Sequence, residues 1–488
     1  MVRRTTTMQR SVRTDGNKTF ALVLILGCQL MMVLDASITT TALPHIQREF
    51  AFSAAGLSWV QNAYALAFGG LLLVGARAGD LLGRKRVFLL GVGLFTVASL
   101  AAGVAVGAPW LIAARAVQGA AAAFAVPSTL ALLVDLYTDP LARGRAIALY
   151  SAVIGAGASV GIIVGGLFTD LLSWRWGLLI NVPIGIVILI LAPRVLHESV
   201  KARGRLDIWG ALTSTAGMSA LVFGFVQAAE VGWSDIYSWA SFALAAVMLL
   251  AFILIERHAK QPITPLRLFA SLERSGAYAG RVLVVGATSA IFYFLSQYLQ
   301  EVLGLSALET GIAYVPITGM FFAMAYVVGP LQHRFGRPVV LVAALLVALV
   351  GVVWLSRIGP GTHYYPDVVL PLLLLGIGQG IAIILLTQSG VAGVAPEDAG
   401  AASGLVNVAH QVGGSIGIAI LTVVFVAAAP SPSPQRLELI AGFHGVFTGA
   451  AVLYSLAVVL GIVILFAGRV AASRLARAEL RDAIATAP

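Results

Sequence analysis

Charged side chains are scarce in this sequence: Asp, Glu, Lys and Arg together make up 11% of its 488 residues. A soluble globular protein carries about 25% charged residues. Hydrophobic residues make up 59% of the chain, and its mean hydropathy is +0.95. The length would suggest several soluble domains, but this composition predicts a chain that lies mostly in a lipid bilayer.

Cysteine and the usual catalytic motifs are also missing or nearly so. Cys28 is the only cysteine, so no internal disulfide can form, and we interpret it as a small buried hydrophobic side chain. The sequence has no Gly-x-x-x-x-Gly-Lys-Ser/Thr phosphate loop. Its apolar segments hold no His/Asp/Glu cluster with metal-ligand spacing and no paired carboxylates. We therefore expect no metal, no other cofactor and no enzymatic activity.

Long apolar runs are what the sequence has in abundance. A membrane-spanning helix needs about 20 mostly apolar residues. Fourteen runs meet this requirement, and we number them helices 1 to 14: 20–43, 57–76, 87–107, 110–134, 146–171, 176–193, 208–228, 238–256, 277–299, 309–331, 338–356, 368–389, 404–428 and 443–467. The first run follows a basic segment, as in a signal peptide, but it is too long and lacks a small-residue cleavage site. The sequence thus predicts an all-α, multi-pass membrane protein.

Basic residues are distributed unevenly around these helices. With the N-terminus inside, the inner segments hold 25 of the 31 Lys and Arg residues. The outer loops hold Arg48, Arg175, Arg357 and Arg436, and the helices hold Arg115 and Arg281. The positive-inside rule then predicts that both termini lie in the cytoplasm and supports an even number of helices. We expect a multi-pass protein of the bacterial inner membrane. Because topology explains the net charge of +10, we expect the lipid bilayer as a partner and no nucleic acid.

The chain contains an internal repeat. Three pairs of segments recur in the same order: Leu81-Leu82-Gly83-Arg84 with Arg334-Phe335-Gly336-Arg337, Gln118-Gly119 with Gln379-Gly380, and Gly157–Gly161 with Gly413–Gly417. Helices 1–6 therefore correspond to helices 9–14, an architecture found in many secondary transporters. The predicted organisation is an N-terminal tail (1–19), a six-helix bundle (20–193), a linker with two helices (194–275), a second bundle (276–467) and a C-terminal tail (468–488).

Several motifs together carry a resemblance to a known family. They are Leu34-Asp35-Ala-Ser-Ile-Thr-Thr-Thr-Ala-Leu43-Pro44 in helix 1, Gly75–Arg86 after helix 2, Arg115-Ala-Val-Gln118-Gly119 in helix 4, the glycine run of helix 5, and Trp174-Arg175-Trp176 with Asn181-Val-Pro183 at helix 6. The chain resembles the major facilitator superfamily in its fourteen-helix drug:proton antiporter branch. The resemblance implies two six-helix bundles, alternating access, and proton-driven export of small amphiphilic drugs or antibiotics. We expect a monomer.

One acidic residue, Asp35, lies well inside a predicted helix, and an ionisable group in a membrane is a functional candidate because it is costly to keep there. A structural ion pair or a helix cap would be the alternative. The resemblance implies a role for Asp35 in proton coupling, with Arg115 as its partner in proton transfer. A guanidinium cannot release a proton itself, but it can change the proton affinity of a nearby acid. The repeat places Gly376 where Arg115 stands in the first half.

The sequence also has two glycine-rich motifs, one at the end of helix 2 and one in helix 5. The resemblance implies that Gly75, Gly79, Asp80, Gly83, Arg84 and Lys85 form a cytoplasmic gate motif that holds the outward-facing state. Gly157, Gly161, Gly165 and Gly166 lie on helix 5, where spacing by four lets a partner helix approach closely. In the family a proline follows the middle glycine and marks antiporters, whereas this chain has Ile162.

Few polar side chains are available to line a cavity between the halves. The candidates are Gln29, Gln61, Asn62, Tyr64, Gln118, Asn181, Gln297, Gln379, Asn407 and Gln411. Such a cavity suits a hydrophobic substrate with one or two polar groups. A lipid or hydrophobic-metabolite exporter on the same fold, a membrane-embedded enzyme, a channel and an uptake carrier are the alternatives. We interpret Arg281 as a side chain that reaches back to the membrane surface.

Overall fold

The computed structural model describes residues 2–137, 139–198, 207–259, 264–394, 398–431 and 435–485, and no strand occurs within these ranges. The fourteen helices are Val2–Phe50, Trp59–Leu82, Arg84–Gly103, Ala108–Leu136, Pro140–Leu171, Asn181–Val195, Ile208–Val231, Ile236–His258, Leu272–Glu301, Val315–Phe335, Arg337–Leu355, Val369–Gly390, Ala399–Ala428 and Arg436–Ala485. Short helices precede five of them, at Ala54–Leu57, Trp174–Leu179, Leu266–Ala270, Ala307–Ala313 and Tyr364–Val368.

The predicted number and order of helices are confirmed. Thirteen spans within the described residues are long and apolar enough to cross a membrane. Helix 5, at 32 residues, is the fourteenth, and its apolar described part runs from Gly157 to Leu171. Because the number is even, both chain termini lie on one face of the bundle. We call this the terminal face, and the other side the opposite face.

Local signals explain where many helices begin. The side chains of Asp139, Asp207, Asp235 and Ser271 each accept a hydrogen bond from a free backbone N–H in the first turn of helices 5, 7, 8 and 9. Helices 2 and 3 are joined by one glycine, Gly83. Helices 10 and 11 are joined by Gly336, which stands at the same place in the repeat. The φ angles of these two residues are positive, 112° and 81°, and positive φ favours glycine because it has no Cβ.

Among the described residues, a large hydrophobic cluster joins the two halves at the opposite face. There, Leu43, Ile46 and Leu111 of the first half belong to the same buried cluster as Tyr298 and Phe443 of the second. Two further clusters each belong to one half: the first-half cluster contains residues 21–32 of helix 1, and the second-half cluster joins helices 9 and 13. The halves also contact each other along helices 2 and 13.

Helices 7 and 8 lie outside this arrangement. Helix 7 packs against helices 2 and 13, one from each half, through Val222 and Val226. Helix 8 packs on helix 7, where Phe242 fills the space beside Gly224. The inserted helix 7 thus covers a seam between the two halves.

Ion pairs fix segments at the terminal face. The Arg267 guanidinium donates through Nε and Nη2 to both oxygens of Asp398, at 2.6 and 2.7 Å. These hydrogen bonds lower the pKa of the Asp398 carboxyl below its ordinary value. Arg337, which follows Gly336 at the start of helix 11, pairs with Glu273 at 3.1 Å.

Candidate proton and substrate site

Asp35 lies at the centre of a buried polar network in the first half. Its side chain is 0% exposed, and both carboxylate oxygens accept hydrogen bonds from other helices. Arg115 Nη1 donates to Oδ2 at 2.5 Å. Gln118 Nε2 and Asn181 Nδ2 donate to Oδ1 at 2.9 and 2.8 Å. Three donors from two other helices thus hold the buried carboxyl group, and a buried polar group needs such hydrogen bonds.

Arg115 has partners beyond Asp35. Its Nε donates to the carbonyl oxygen of Val60 at 3.0 Å, and Nη1 also lies 3.1 Å from Gln118 Oε1. The guanidinium carbon lies 4.6 Å from the centre of the Tyr64 ring, a cation–π contact. With 2% of its side chain exposed, Arg115 does not reach the membrane surface. It is a planar donor held between helices 1, 2 and 4.

The network joins helices 1, 2, 3, 4 and 6, and sequence reasoning anticipated only part of it. Arg115 and Gln118 are three residues apart on helix 4, so they share a face. Asn181 and Tyr64 had been assigned to the cavity, but the structure places them against the Asp35–Arg115 pair. Ser99 on helix 3, which accepts from Gln118 Nε2 at 2.8 Å, was missed, because a serine in an apolar run gives no distinctive signal.

The helix 5 glycines bring helix 1 close to the backbone of helix 5. A Cβ on Gly161 would lie 3.2 Å from the Leu34 Cα, next to Asp35. A Cβ on Gly165 would lie 2.7 Å from the Ile38 Cα. These glycines therefore act in packing against the helix that carries Asp35. Gly166 faces away from helix 1 and contacts Ala307 of the second half.

The gate motif makes its contacts within the first half. Arg84 donates to Asp80 at 3.0 Å and to both oxygens of Asp135 at 2.9 and 3.0 Å. Lys85 Nζ donates to the Pro193 carbonyl, and Glu198 accepts from the backbone N–H groups that begin helix 3.

The glycines of the gate motif serve close packing. At Gly75 a methyl group would collide with the Ala123 backbone of helix 4, and at Gly79 it would meet the Ser128 hydroxyl. Helices 2 and 4, which carry Asp80 and Asp135, are therefore held in close contact at the terminal face. Gly376, the counterpart of Arg115, similarly lies against the helix 10 backbone at Ile317, so no large side chain fits there.

Hydrogen bonds between the halves cluster on the opposite face. Ser296 and Gln300 of helix 9 donate to the carbonyl oxygens of Thr40 and Thr41 in helix 1, at 2.9 and 3.1 Å. Asp170, at the end of helix 5, accepts from the backbone N–H groups of residues 307 and 308 at 3.1 and 2.8 Å. An acidic side chain at a helix N-terminus is favourable. Together these contacts form an opposite-face seal, in which Ile162 also packs against Gly311.

The remaining cavity candidates do not form one cluster. Gln29 accepts from the Tyr150 hydroxyl at 2.7 Å, and that hydroxyl lies 3.2 Å from Thr129, so the three join helices 1, 4 and 5. Gln61 donates to Thr40 Oγ1 at 3.3 Å beside the seal. Asn62 and Gln297 are buried and bond within their own helical regions, to Ser58 Oγ and the Tyr293 carbonyl. Asn407 is exposed, and Gln379 and Gln411 are half-buried.

The interpretation of Arg281 as a surface-seeking side chain is wrong. It is 7% exposed and lies between helices 9, 12 and 13. Its Nη1 donates to Thr387 Oγ1 at 2.6 Å and to the Ile383 carbonyl at 3.2 Å, and its Nη2 lies 3.4 Å from His410 Nδ1. Distance from a helix end did not reveal these partners, because they come from helices distant in sequence.

This fold, with a buried acid–arginine pair in one half and a sealed opposite face, is that of a multi-pass membrane transporter built from two six-helix bundles. The family model of the Major Facilitator Superfamily matches residues 25–418, and the chain belongs to that superfamily. It is therefore a transporter and not an enzyme.

Its relatives include several proteins named for antibiotic resistance or export. The chain is 39% identical to the puromycin resistance protein pur8 of Streptomyces alboniger, over 85% of this chain and 83% of that protein. It is 39% identical to the cephamycin export protein CmcT of Amycolatopsis lactamdurans, over 90% and 91% of the two chains. Among solved structures, the peptide transporter POT has a TM-score of 0.67 at 13% identity, covering 92% of this chain and 94% of that one, which shows the fold.

Proposed function

We propose that this chain is a proton-coupled exporter of small amphiphilic drugs or antibiotics in the bacterial inner membrane, working by alternating access with both termini in the cytoplasm. The observation that carries the proposal is the fully buried Asp35 carboxylate, held by Arg115, Gln118 and Asn181. The antibiotic-export relatives support the substrate class. The concentration of basic residues on the terminal face supports its assignment to the cytoplasm.

Protonation of Asp35 changes what the network can hold together. The ionised carboxylate neutralises Arg115 and accepts every hydrogen bond offered to it. A protonated carboxyl leaves the Arg115 charge uncompensated and needs an acceptor for its own O–H. Asn181 Oδ1 is buried and has no hydrogen-bond partner, so a half-turn of that amide would supply the acceptor. Proton binding would thus rearrange the contacts between helices 1, 4 and 6.

Helix 1 connects this network to the seal between the halves. Asp35 and the carbonyl oxygens of Thr40 and Thr41 lie within two turns of the same helix. A shift of helix 1 as Asp35 gains or loses a proton would therefore act on the hydrogen bonds from Ser296 and Gln300. We propose that these bonds break when the substrate-loaded transporter, with Asp35 ionised, opens outwards, while Asp80 gains contacts with the second half at the terminal face. They form again when Asp35 has taken up a proton from outside and the transporter returns inwards, so that a proton enters as the substrate leaves.

The proposal is tested by an efflux panel in a pump-deficient bacterial host, with wild type and Asp35→Asn measured with and without a protonophore. Asp35→Asn retains hydrogen-bonding capacity but cannot cycle a proton. We expect wild type to lower accumulation of several amphiphilic antibiotics, a protonophore to abolish the effect, and Asp35→Asn to match the protonophore-treated cells at equal membrane expression.

Glu49→Gln is the matched control, because it neutralises an acid on the same helix that is 42% exposed and pairs with Arg175 outside the network. It should export as wild type does. Export by Asp35→Asn at the wild-type rate would show that the proton site lies elsewhere. Protonophore-insensitive export by wild type would refute proton coupling altogether.

A further inference from the structure

The second half contains a buried positive charge that the proton site does not use. Arg281 is 7% exposed, and within the described residues no carboxylate lies within ion-pair distance of its guanidinium. An arginine inside a membrane protein is costly to keep there and is normally paired or in a polar cavity. A neutralising group from outside the chain would satisfy it.

The polar group around Arg281 has a neutral counterpart in the first half. Gln29, Thr129 and Tyr150 come from helices 1, 4 and 5 and hydrogen-bond to one another. Arg281, Thr387 and His410 come from helices 9, 12 and 13, which are the repeat partners of those helices. The same three-helix junction is thus self-contained in one half and positively charged in the other.

The hydrogen-bonding edges of the Arg281 guanidinium are used unequally. Nη1 is held by Thr387 and by the Ile383 carbonyl. Among the described residues, Nε is buried without a hydrogen-bond partner, and Nη2 has only the 3.4 Å contact with His410 Nδ1. The Nε–Nη2 edge is the one that binds a carboxylate with two parallel hydrogen bonds. Arg267 uses this edge to hold Asp398 elsewhere in the same chain.

Two polar side chains next to the Arg281 group are exposed. They are Thr387, which holds Nη1, and Asn407, one turn from His410 on helix 13. Helices 9 and 13, which carry Arg281 and His410, contact helices 1 and 2 of the first half. A ligand that approaches past these exposed side chains would meet the Arg281 group.

We propose that Arg281, positioned by Thr387 and His410, binds the carboxylate of an amphiphilic substrate. This inference rests on the proposed export function and adds amphiphilic organic acids to its substrate class. The apolar part of the substrate would lie between the halves, and its oxyanion would take the Nε–Nη2 edge. Asp35 and Arg115 would stay available for the proton.

Binding to the purified protein in detergent tests the proposal without any proton gradient. The probes are N-dansyl-phenylalanine and its methyl ester. They carry the same aromatic groups, and the acid has one negative charge that the ester lacks. Because hydrogen bonds to charged groups are the stronger ones, we expect wild type to bind the acid at least about tenfold more tightly than the ester. Arg281→Gln should lose this preference and keep its affinity for the ester, which also shows that it has folded.

Two further variants and one lipid arm make the result decisive. Arg281→Lys should restore part of the preference, since it restores the charge without the fork. Arg274→Gln is the matched control. It removes a positive charge from the same helix, where Arg274 donates to the carbonyl oxygens of Leu268 and Ala392, and it should leave the preference intact. Equal binding of acid and ester by wild type, or an equal loss of both in Arg281→Gln, would overturn the proposal.

Phosphatidylglycerol distinguishes a lipid phosphate from a substrate carboxylate as the source of the oxyanion. Added to the micelles, it should not abolish the preference for the acid. If instead it binds in an Arg281-dependent manner and the acid shows no preference, the site belongs to lipid and the substrate assignment is overturned. A wild type that binds the acid through Arg281 but exports nothing under a proton gradient would contradict the proposed function alone.

Discussion

Removing one member of the Asp35–Arg115 pair should destabilise the protein about as much as removing both. The two side chains are 0% and 2% exposed. Asp35→Asn therefore leaves the Arg115 charge buried without a counter-charge, and Arg115→Gln leaves the Asp35 carboxylate buried without a counter-charge. Breaking a buried pair in this way costs about 3–5 kcal/mol. The double variant buries no charge, and its amides can still hydrogen-bond to Gln118 and Asn181.

The assay is a double-mutant cycle measured by reversible unfolding in mixed detergent micelles. Additive behaviour would predict about 6–10 kcal/mol for the double variant, whereas we expect about 3–5 kcal/mol, a coupling of about 3–5 kcal/mol. The control is the Glu49–Arg175 pair, whose side chains are 42% and 27% exposed, where the coupling should stay below about 1 kcal/mol. Additivity within about 0.5 kcal/mol at Asp35 and Arg115 would refute the reasoning.

Three other predictions concern the seal, the glycine packing and the terminal face. Asp170→Asn keeps one acceptor but loses the charge at the neighbouring helix N-terminus, which should weaken the opposite-face seal. An engineered Thr41→Cys in that seal should then react several-fold faster with an impermeant maleimide added at the opposite face. Gly165→Leu should fail to give folded protein by size-exclusion chromatography, because helix 1 leaves no room for a side chain. The lowered pKa of Asp398 means that its pairing with Arg267 stabilises the fold above the ordinary value of 3.8 and that this contribution is lost as the pH falls through the lower, folded value. Arg267→Gln should therefore flatten the acid limb of thermal stability against pH, and an unchanged limb would contradict that assignment.

Hydropathy and charge were enough to predict the helix count, because a membrane imposes length and polarity on each span separately. Asp35 could be singled out for the same reason, since one carboxylate in an apolar run is visible without a partner. The family and the role of Arg115 came from the resemblance of the motifs. The contacts of Arg115 and Gln118 with Asp35 are now observed, while the role of Asp35 and Arg115 in coupling stays a prediction.

Contacts between distant helices could not be predicted in the same way. Asn181 and Tyr64 were placed in the cavity because a single span does not show which face meets which neighbour. Asp170 was overlooked because an acid at a helix end is common, and the sequence does not show that it caps a short helix of the second half. Arg281 was misinterpreted because its depth in helix 9 fits a surface-seeking side chain, and only the approach of helices 12 and 13 shows otherwise.

The most direct test of the central claim is proton movement driven by substrate alone. Purified protein is reconstituted in liposomes containing a pH-sensitive dye, and an exported antibiotic is added with no imposed pH gradient. Antiport through Asp35 predicts a substrate-dependent pH change in wild type and in Glu49→Gln, abolished in Asp35→Asn although that variant still binds substrate. A pH change of equal size in Asp35→Asn, or substrate flux through wild type without proton movement, would contradict the account.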